Sequence, residues 1–250
     1  AGIEDRLGGG ALADYAHHAH VSYEIACDWK VYVDNYLEGY HVPRVHPALN
    51  AALDYRSYTT EVDEWHVLQA SPLDSADALY GQGEALYWWL WPNTMLNVLP
   101  GRLQTNRVLP LGTGRCRVEF DFFYAPGEQH RAAADAHFSD EVQREDIALC
   151  EAVQRGLASG SYQPGRLNPL RESGVWRFQE MVRAAYRQHR ERAAAAVRGT
   201  PHGRAGLASR RQGAPAGFRR LPTASDNSRQ RPSARRRLPT LAGSLTATPP

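Results

Sequence analysis

Residues 102–126 read RLQTNRVLPLGTGRCRVEFDFFYAP, two alternating runs of β-branched and aromatic residues around the turn sequence PLGTG. That pattern predicts a β-hairpin. Aromatic and β-branched residues over Glu61–Ala70 and Ala85–Leu99 predict further strands, and HVSYEIACDW predicts one over His20–Ala26. Asp28 can cap a helix running to Tyr40, where Gly39 and Pro43 mark its end. Two helical patterns come late, over about Ser139–Ser159 and Glu172–Ala196. Strands in the middle and a long helix late predict an α+β fold with an antiparallel sheet.

Length and charge limit what else the chain contains. At 250 residues it is long enough for one domain with its own core. No run approaches the roughly 18 apolar residues of a membrane span. The N-terminal AGIEDRLGGG has neither a basic n-region nor an apolar h-region, and no initiator Met, so a processed or truncated product is expected. Three widely spaced cysteines, Cys27, Cys116 and Cys150, fit a reducing cytoplasm better than a disulfide framework. Residues 201–250 hold ten Arg and one acid, Asp226, for a local charge of +9 against −7 in the remainder. A basic tail can bind nucleic acid. This one is rich in Pro, Ser, Ala and Gly, has a single aromatic (Phe218) and no apolar period, so disorder is the expectation. Neither nucleic acid nor membrane is expected as a partner. The expected organisation is a linker over 1–19, a folded domain over 20–197 and a disordered tail over 198–250.

The chemistry is concentrated in DNYLEGYHVPRVHP, residues 34–47. On a helix Asp34, Glu38 and His41 fall at i, i+4 and i+7, one polar stripe opposite Trp29, Val33, Tyr36, Leu37 and Tyr40. Taken alone, that spacing fits a solvated face better than a site. His41 and His46 are five apart and would not align on one helix, but Pro43 breaks the helix and lets the chain turn His46 back.

The late segment EVQREDIALCEAVQRGL carries more. At 100° per residue Val142, Leu149, Cys150, Val153 and Leu157 form an apolar arc with Asp146 in its middle and Glu145 at its border. A carboxylate directed into a core needs a cation or several donors. An Arg partner or a backbone cap would serve, and so would a metal. Two histidines and one distant carboxylate make the facial triad of non-haem iron(II), which leaves positions open for dioxygen and substrate.

CDWKVYVDNYLEGYHVPRVHP resembles the iron-site segment of Rieske-type non-haem iron oxygenase α subunits. REDIALCEAVQRGLAS resembles the segment with their third ligand, and WPNTMLNVLPGRLQTNRVLPLG the sheet between. The resemblance covers about residues 20–190 and is nearest the choline or carnitine monooxygenase-like branch. It implies a helix-grip catalytic domain (START/Bet v1-like), a curved antiparallel sheet packed on a long helix. It also implies His41, His46 and Asp146 as ligands of a mononuclear Fe(II). Glu38 falls where the family has an acid linking an iron-ligand His to a cluster His of the neighbouring subunit, and Asn35 resembles an amide near the iron. Dioxygen activation, electrons arriving through Glu38 from a reductase or ferredoxin, and a homotrimer of the intact subunit are further implications. The family's 2Fe–2S Rieske cluster is held by C-x-H and C-x-x-H pairs. None of the three cysteines has a His two or three residues later, so a catalytic-domain portion without its Rieske domain, not competent for turnover alone, is expected.

The run YWWLWPN, Tyr87–Asn93, admits two readings. Trp89 and Trp91 could form a cage for a quaternary ammonium group, with Asn93, Met95 and Asn97 on one strand face lining the pocket. A core strand packed against the long helix is the alternative. The expected function is a cytoplasmic mono- or dioxygenase that hydroxylates an aromatic or quaternary-ammonium small molecule. A non-enzymatic helix-grip binding relic is the alternative. A zinc hydrolase is disfavoured by the lack of H-E-x-x-H.

Overall fold

The computed structural model describes residues 2–7, 12–73 and 79–199, with side chains to 196. The tail expected to be disordered falls outside the described residues. Seven antiparallel strands form one curved open sheet in the order β1-β7-β6-β5-β4-β3-β2. They are β1 (Ala16–Ile25), β2 (Thr59–Val62), β3 (His66–Leu73), β4 (Gly83–Leu90), β5 (Thr94–Leu99), β6 (Arg102–Gly112) and β7 (Arg115–Tyr124). β2 to β7 run as a meander, and β1 closes the far edge against β7. The predicted α+β class and antiparallel sheet are observed. The two long strands expected from the aromatic content are each a hairpin instead. Glu61–Ala70 turns at residues 63–65, and Ala85–Leu99 turns at residues 91–93, where Trp91–Pro92 is cis.

The helices are α1 (Ile3–Leu7), α2 (Trp29–Tyr36), α3 (Val42–Val45), α4 (Pro47–Ala52), α5 (Ala132–Ala158) and α6 (Ser173–Gly199). Asp28 caps α2 as predicted, its carboxylate accepting from the Lys30 amide at 3.0 Å. The helix stops at Tyr36 rather than Tyr40, so Glu38 and His41 do not continue its stripe. The reason is local. Gly39 packs so closely on Tyr58 that a Cβ there would lie 2.8 Å from Cε1 of that ring, and Pro43 opens α3.

Two apolar clusters fill the concave face. The larger joins Ile25, Val33, Trp89, Met95, Val118 and Phe178, from β1, α2, β4, β5, β7 and α6. The smaller joins Leu53, Leu73, Tyr80, Ala85 and Leu99. The convex face buries Leu68, Leu86, Trp88 and Val98 beneath Ile3, Leu7 and Leu12, so part of the stretch expected as a linker packs on the sheet.

Between the two concave clusters runs a row of a different character. Register places Gln69 opposite Tyr87, Tyr87 opposite Asn97, and Asn97 opposite Gln104. Two residues along each strand lies the apolar row Val67, Trp89 and Met95. On a pleated sheet both rows face the same side. The polar one is left open as a cavity, and α5 and the α2–α4 segment form its other walls.

α5 faces the sheet with an unusual stripe. Asp135, Ser139, Gln143 and Cys150 are its buried residues beyond Ala132, and Asp146 lies on the same side. Val153 and Leu157, expected in the apolar arc, are exposed. The inward stripe is largely polar, so an apolar period locates its centre and misses its extent.

Candidate metal centre

His41 precedes α3 as its N-cap, and His46 sits at the junction of α3 and α4 with Pro47 opening the next helix. The expected break at Pro43 is not observed: the chain breaks after Tyr36, Pro43 lies in the first turn of α3, and the two histidines cap the two ends of that four-residue helix. His46 is 1% exposed. The two imidazoles meet edge to face, with Nε2 to Nε2 at 3.2 Å. Asp146 reaches the same point from α5, its Oδ1 lying 3.1 Å from His46 Nε2 and 3.7 Å from His41 Nε2. Among the described residues this is the one group of three such side chains whose ligand atoms all fall within 4.8 Å of one another.

The outer atoms explain why the inner ones converge. His41 Nδ1 lies 2.7 Å from Glu38 Oε1, and His46 Nδ1 lies 2.7 Å from Glu145 Oε2. Donation of both Nδ1 protons to carboxylates leaves both Nε2 atoms as lone-pair acceptors. Two lone pairs and a carboxylate oxygen then face one another, an arrangement that repels itself unless a cation sits among them. Burial opposes charging His46, but Asp146 and then Glu145 outweigh it and raise the His46 pKa above its ordinary value. A carboxylate behind each imidazole also orients metal-binding histidines. The donor set of two imidazoles and a carboxylate therefore fits a divalent transition metal and suits iron(II).

Asn35 and Glu38 both adjoin this group. Asn35 Nδ2 donates to Asp146 Oδ1 at 2.7 Å, and the second Glu38 oxygen accepts from the His41 amide at 3.2 Å. Glu145, the alternative to Asp146 as the carboxylate ligand on sequence grounds, instead holds the outer nitrogen of His46. The adjacent acids of the segment RED were the available signal.

The cavity opens beside these side chains and is lined by Asn35, Glu38, His41, His46 and Asp146 at one place. Tyr36, Tyr58, Tyr80, Tyr87 and Phe138 supply aromatic walls. Burial pushes the Tyr87 hydroxyl up to about 12 and those of Tyr36 and Tyr58 well above their ordinary range, so all three present neutral phenol rings. Tyr36 donates to Asn97 Oδ1 at 2.8 Å. Gln69 Oε1 and Gln143 Nε2, both buried on the wall, have no hydrogen-bond partner within the protein.

Of the five residues expected to line a pocket, Asn97 does so. Trp89 and Met95 are fully buried in the core, where Trp89 meets Phe178 of α6 edge to face with ring centroids 5.4 Å apart. Trp91 packs against the same cluster, and Asn93 donates to the Val108 carbonyl at the β4–β5 turn. Trp89, Met95 and Asn97 share the concave strand face, whereas Trp91 and Asn93 lie in the turn. The half of that face under α6 is filled by Phe178, and the neighbouring half is hollow.

Comparison with known proteins gives a consistent result. The profile of the "Ring hydroxylating alpha subunit (catalytic domain)" family matches residues 12–188. Choline monooxygenase, chloroplastic, of Arabidopsis thaliana is 41% identical over 168 residues, covering 63% of this chain and 39% of that protein. The carnitine monooxygenase oxygenase subunit of Acinetobacter baumannii is 27% identical over 212 residues, covering 74% of this chain and 57% of that one. The chain thus spans well under two thirds of the length of these relatives. Among solved structures, a quaternary ammonium Rieske monooxygenase active in carnitine oxidation superimposes with a TM-score of 0.62 at 26% identity, over 73% of this chain and 56% of that one. Dicamba monooxygenase bound to 3,6-dichlorosalicylic acid shares the fold, with a TM-score of 0.56 at 19% identity over 70% and 60% of the two chains.

Proposed function

The chain belongs to the family of ring-hydroxylating α-subunit catalytic domains, and from that premise we propose that it is the oxygen-activating, substrate-binding part of a Rieske-type monooxygenase acting on a quaternary ammonium compound. One observation carries the reading: His41 Nε2, His46 Nε2 and Asp146 Oδ1 converge with their outer atoms already committed to carboxylates. Ferrous iron, when bound by these three, supplies one-electron chemistry and open coordination positions for dioxygen and substrate. Glu38 and Glu145 keep the Nδ1 protons of His41 and His46 in place, so that the Nε2 atoms remain donors to a metal. Asn35 fixes the rotation of the Asp146 carboxylate. Tyr36, Tyr58 and Tyr87 offer ring faces to a cationic head, and their neutrality at physiological pH preserves that attraction.

Electrons come from a reductase partner in this reading, and Glu38 is the residue through which they reach the site. The aromatic-substrate alternative has less support. Relatives named for choline and carnitine are 41% and 27% identical to this chain, and tyrosines line the cavity together with unpaired polar atoms of Gln69 and Gln143. Among the described residues no helix is long and apolar enough to cross a membrane.

Anaerobic loading with iron(II), followed by metal analysis, tests the assignment. About one iron per chain is expected in the wild type and next to none in Asp146→Ala, which removes the anionic ligand. Equal iron in the two proteins would count against the site, and a wild type that holds none would favour a binding relic without turnover.

A further inference from the structure

Strand β1 opens with AHHAH, where plain alternation would put His18 and His20 on one side of the sheet and His17 on the other. The structure does otherwise. The register between β1 and β7 shifts after His17, so that His17 stands opposite Phe123, Ala19 opposite Phe122 and His20 opposite Asp121. His18 is the extra residue of a β-bulge, and its ring meets Tyr124 edge to face with centroids 5.4 Å apart. The bulge therefore brings His17 and His20 onto one face together with Asp121. That face is the convex one, because Leu103 of the convex cluster pairs with Phe123, two residues along β7 from Asp121.

The three side chains meet at one atom. His17 Nε2 lies 3.1 Å and His20 Nδ1 lies 2.9 Å from Asp121 Oδ1. Partial burial works to raise the Asp121 carboxyl, but hydrogen bonds from His20 and His17 outweigh it and hold the group below its ordinary value. It is thus an anion at neutral pH. Arg107 on the adjacent strand β6 is held by Glu119 instead, through Nε at 3.3 Å and Nη2 at 2.7 Å. The imidazoles are 51% and 49% exposed and the carboxylate 31%, so an ion can reach all three from solvent.

We propose that His17, His20 and Asp121 form a second metal site, which takes a divalent ion of the zinc class on the opposite face of the sheet from the first centre. The inference is independent of the function proposed above. Two neutral imidazoles and one carboxylate are the protein donors of an open zinc site, with water in the remaining position. To bind, each ring moves its proton to its outer nitrogen, which has no hydrogen-bond partner among the described residues. In the first centre carboxylates hold those outer nitrogens, and its ligand atoms are also more closely gathered. Zinc affinity at the second site should accordingly be about 10- to 100-fold lower than at the first. An ion there ties the edge strand β1 to β7.

Zinc titration of the full-length chain carrying Asp146→Ala, which removes the anionic ligand of the first centre, tests this by calorimetry and equilibrium dialysis. About one zinc per chain is expected. Adding His17→Ala, His20→Ala or Asp121→Asn should each weaken binding at least about tenfold. Adding His18→Ala should not, and dependence on His18 in place of His17 would overturn the site as the bulge builds it. Copper(II) gives a second readout, since its electron paramagnetic resonance spectrum should show two imidazole nitrogens, and one fewer in each of the His17 and His20 variants. Zinc that binds the wild type but not the Asp146→Ala chain overturns the second site and leaves the first standing. Zinc retained after both His17 and His20 are replaced places the ion elsewhere and also overturns it. No saturable zinc binding in the Asp146→Ala chain overturns the second site alone, because iron loading of the wild type tests the first separately.

Discussion

Glu145 holds His46 by its outer nitrogen, with Oε2 2.7 Å from Nδ1, while its neighbour Asp146 meets the inner nitrogen of the same ring at 3.1 Å. Two successive carboxylates on one helix therefore grip opposite ends of one imidazole. They should not be equivalent under mutation. Asp146→Ala removes a ligand atom and should abolish iron retention. Glu145→Ala removes only the group that fixes the tautomer and should weaken iron affinity about 10- to 100-fold. Competition with a graded series of chelators reads the difference, and identical losses would mean that the two carboxylates share one role.

Glu38→Gln keeps an acceptor for the His41 Nδ1 proton and removes the negative charge. Iron affinity should fall by less than about tenfold, whereas Glu38→Ala should cost more. Turnover in mixed assemblies with an intact homologous α subunit should be suppressed by Glu38→Gln far beyond its loss of iron. Turnover that merely tracks iron content would remove Glu38 from the electron route.

Trp89→Ala and Tyr87→Leu alter residues two apart on the same face of β4. Trp89 is in the core, so its truncation should cost about 3–5 kcal/mol of stability in urea unfolding and leave the affinity for a trimethylammonium ligand within about threefold. Tyr87 lines the cavity, so its replacement should cost about tenfold in that affinity and less in stability. The reverse pattern would return the cage to the tryptophans.

Asp34 gives a pH dependence whose sign can be worked out. Burial is the main cause that pushes its carboxyl up to about 7; Gln179 donates at 3.2 Å and works the other way, and the charges of Glu172 and Glu38 add to the rise. Its Oδ1 is buried without a partner. The folded chain then keeps a proton that the unfolded chain releases near pH 4, so stability falls between about pH 4 and pH 7 and stays reduced above. Asp34→Asn should stabilise the protein at pH 8 by about 1–3 kcal/mol and change little at pH 4. A stability difference that does not vary with pH would place Asp34 in contact with water.

The sequence made the fold class and the His41, His46 and Asp146 group legible because each leaves a local mark. Alternation marks strands, Gly39 marks the interruption between α2 and the short helix that His41 and His46 cap, and an acid in mid-arc marks Asp146. Arg102, Gln104 and Asn106 were not found, although they alternate in RLQTN, because strand alternation is ordinarily read with the apolar positions inward. Here Leu103 packs with the convex cluster and the polar positions face in. The same inversion operates on α5, where Asp135, Ser139 and Gln143 turn inward and Val153 and Leu157 do not. Trp89 and Tyr87 could not be told apart by period at all, since what separates them is whether Phe178 of α6 lies above.

The cross-strand row Gln69, Tyr87, Asn97 and Gln104 has a consequence for how such an enzyme changes its diet. All three proposed ligands belong to the helical layer, at the ends of α3 and within α5, whereas these four belong to β3, β4, β5 and β6. In the proposed reading the metal is held from the helical wall, while much of the substrate's space is set by the sheet opposite. Exchange of side chains along a single rank of the sheet can resize the hollow without moving an imidazole, and lineages can drift between substrates while their chemistry stands still.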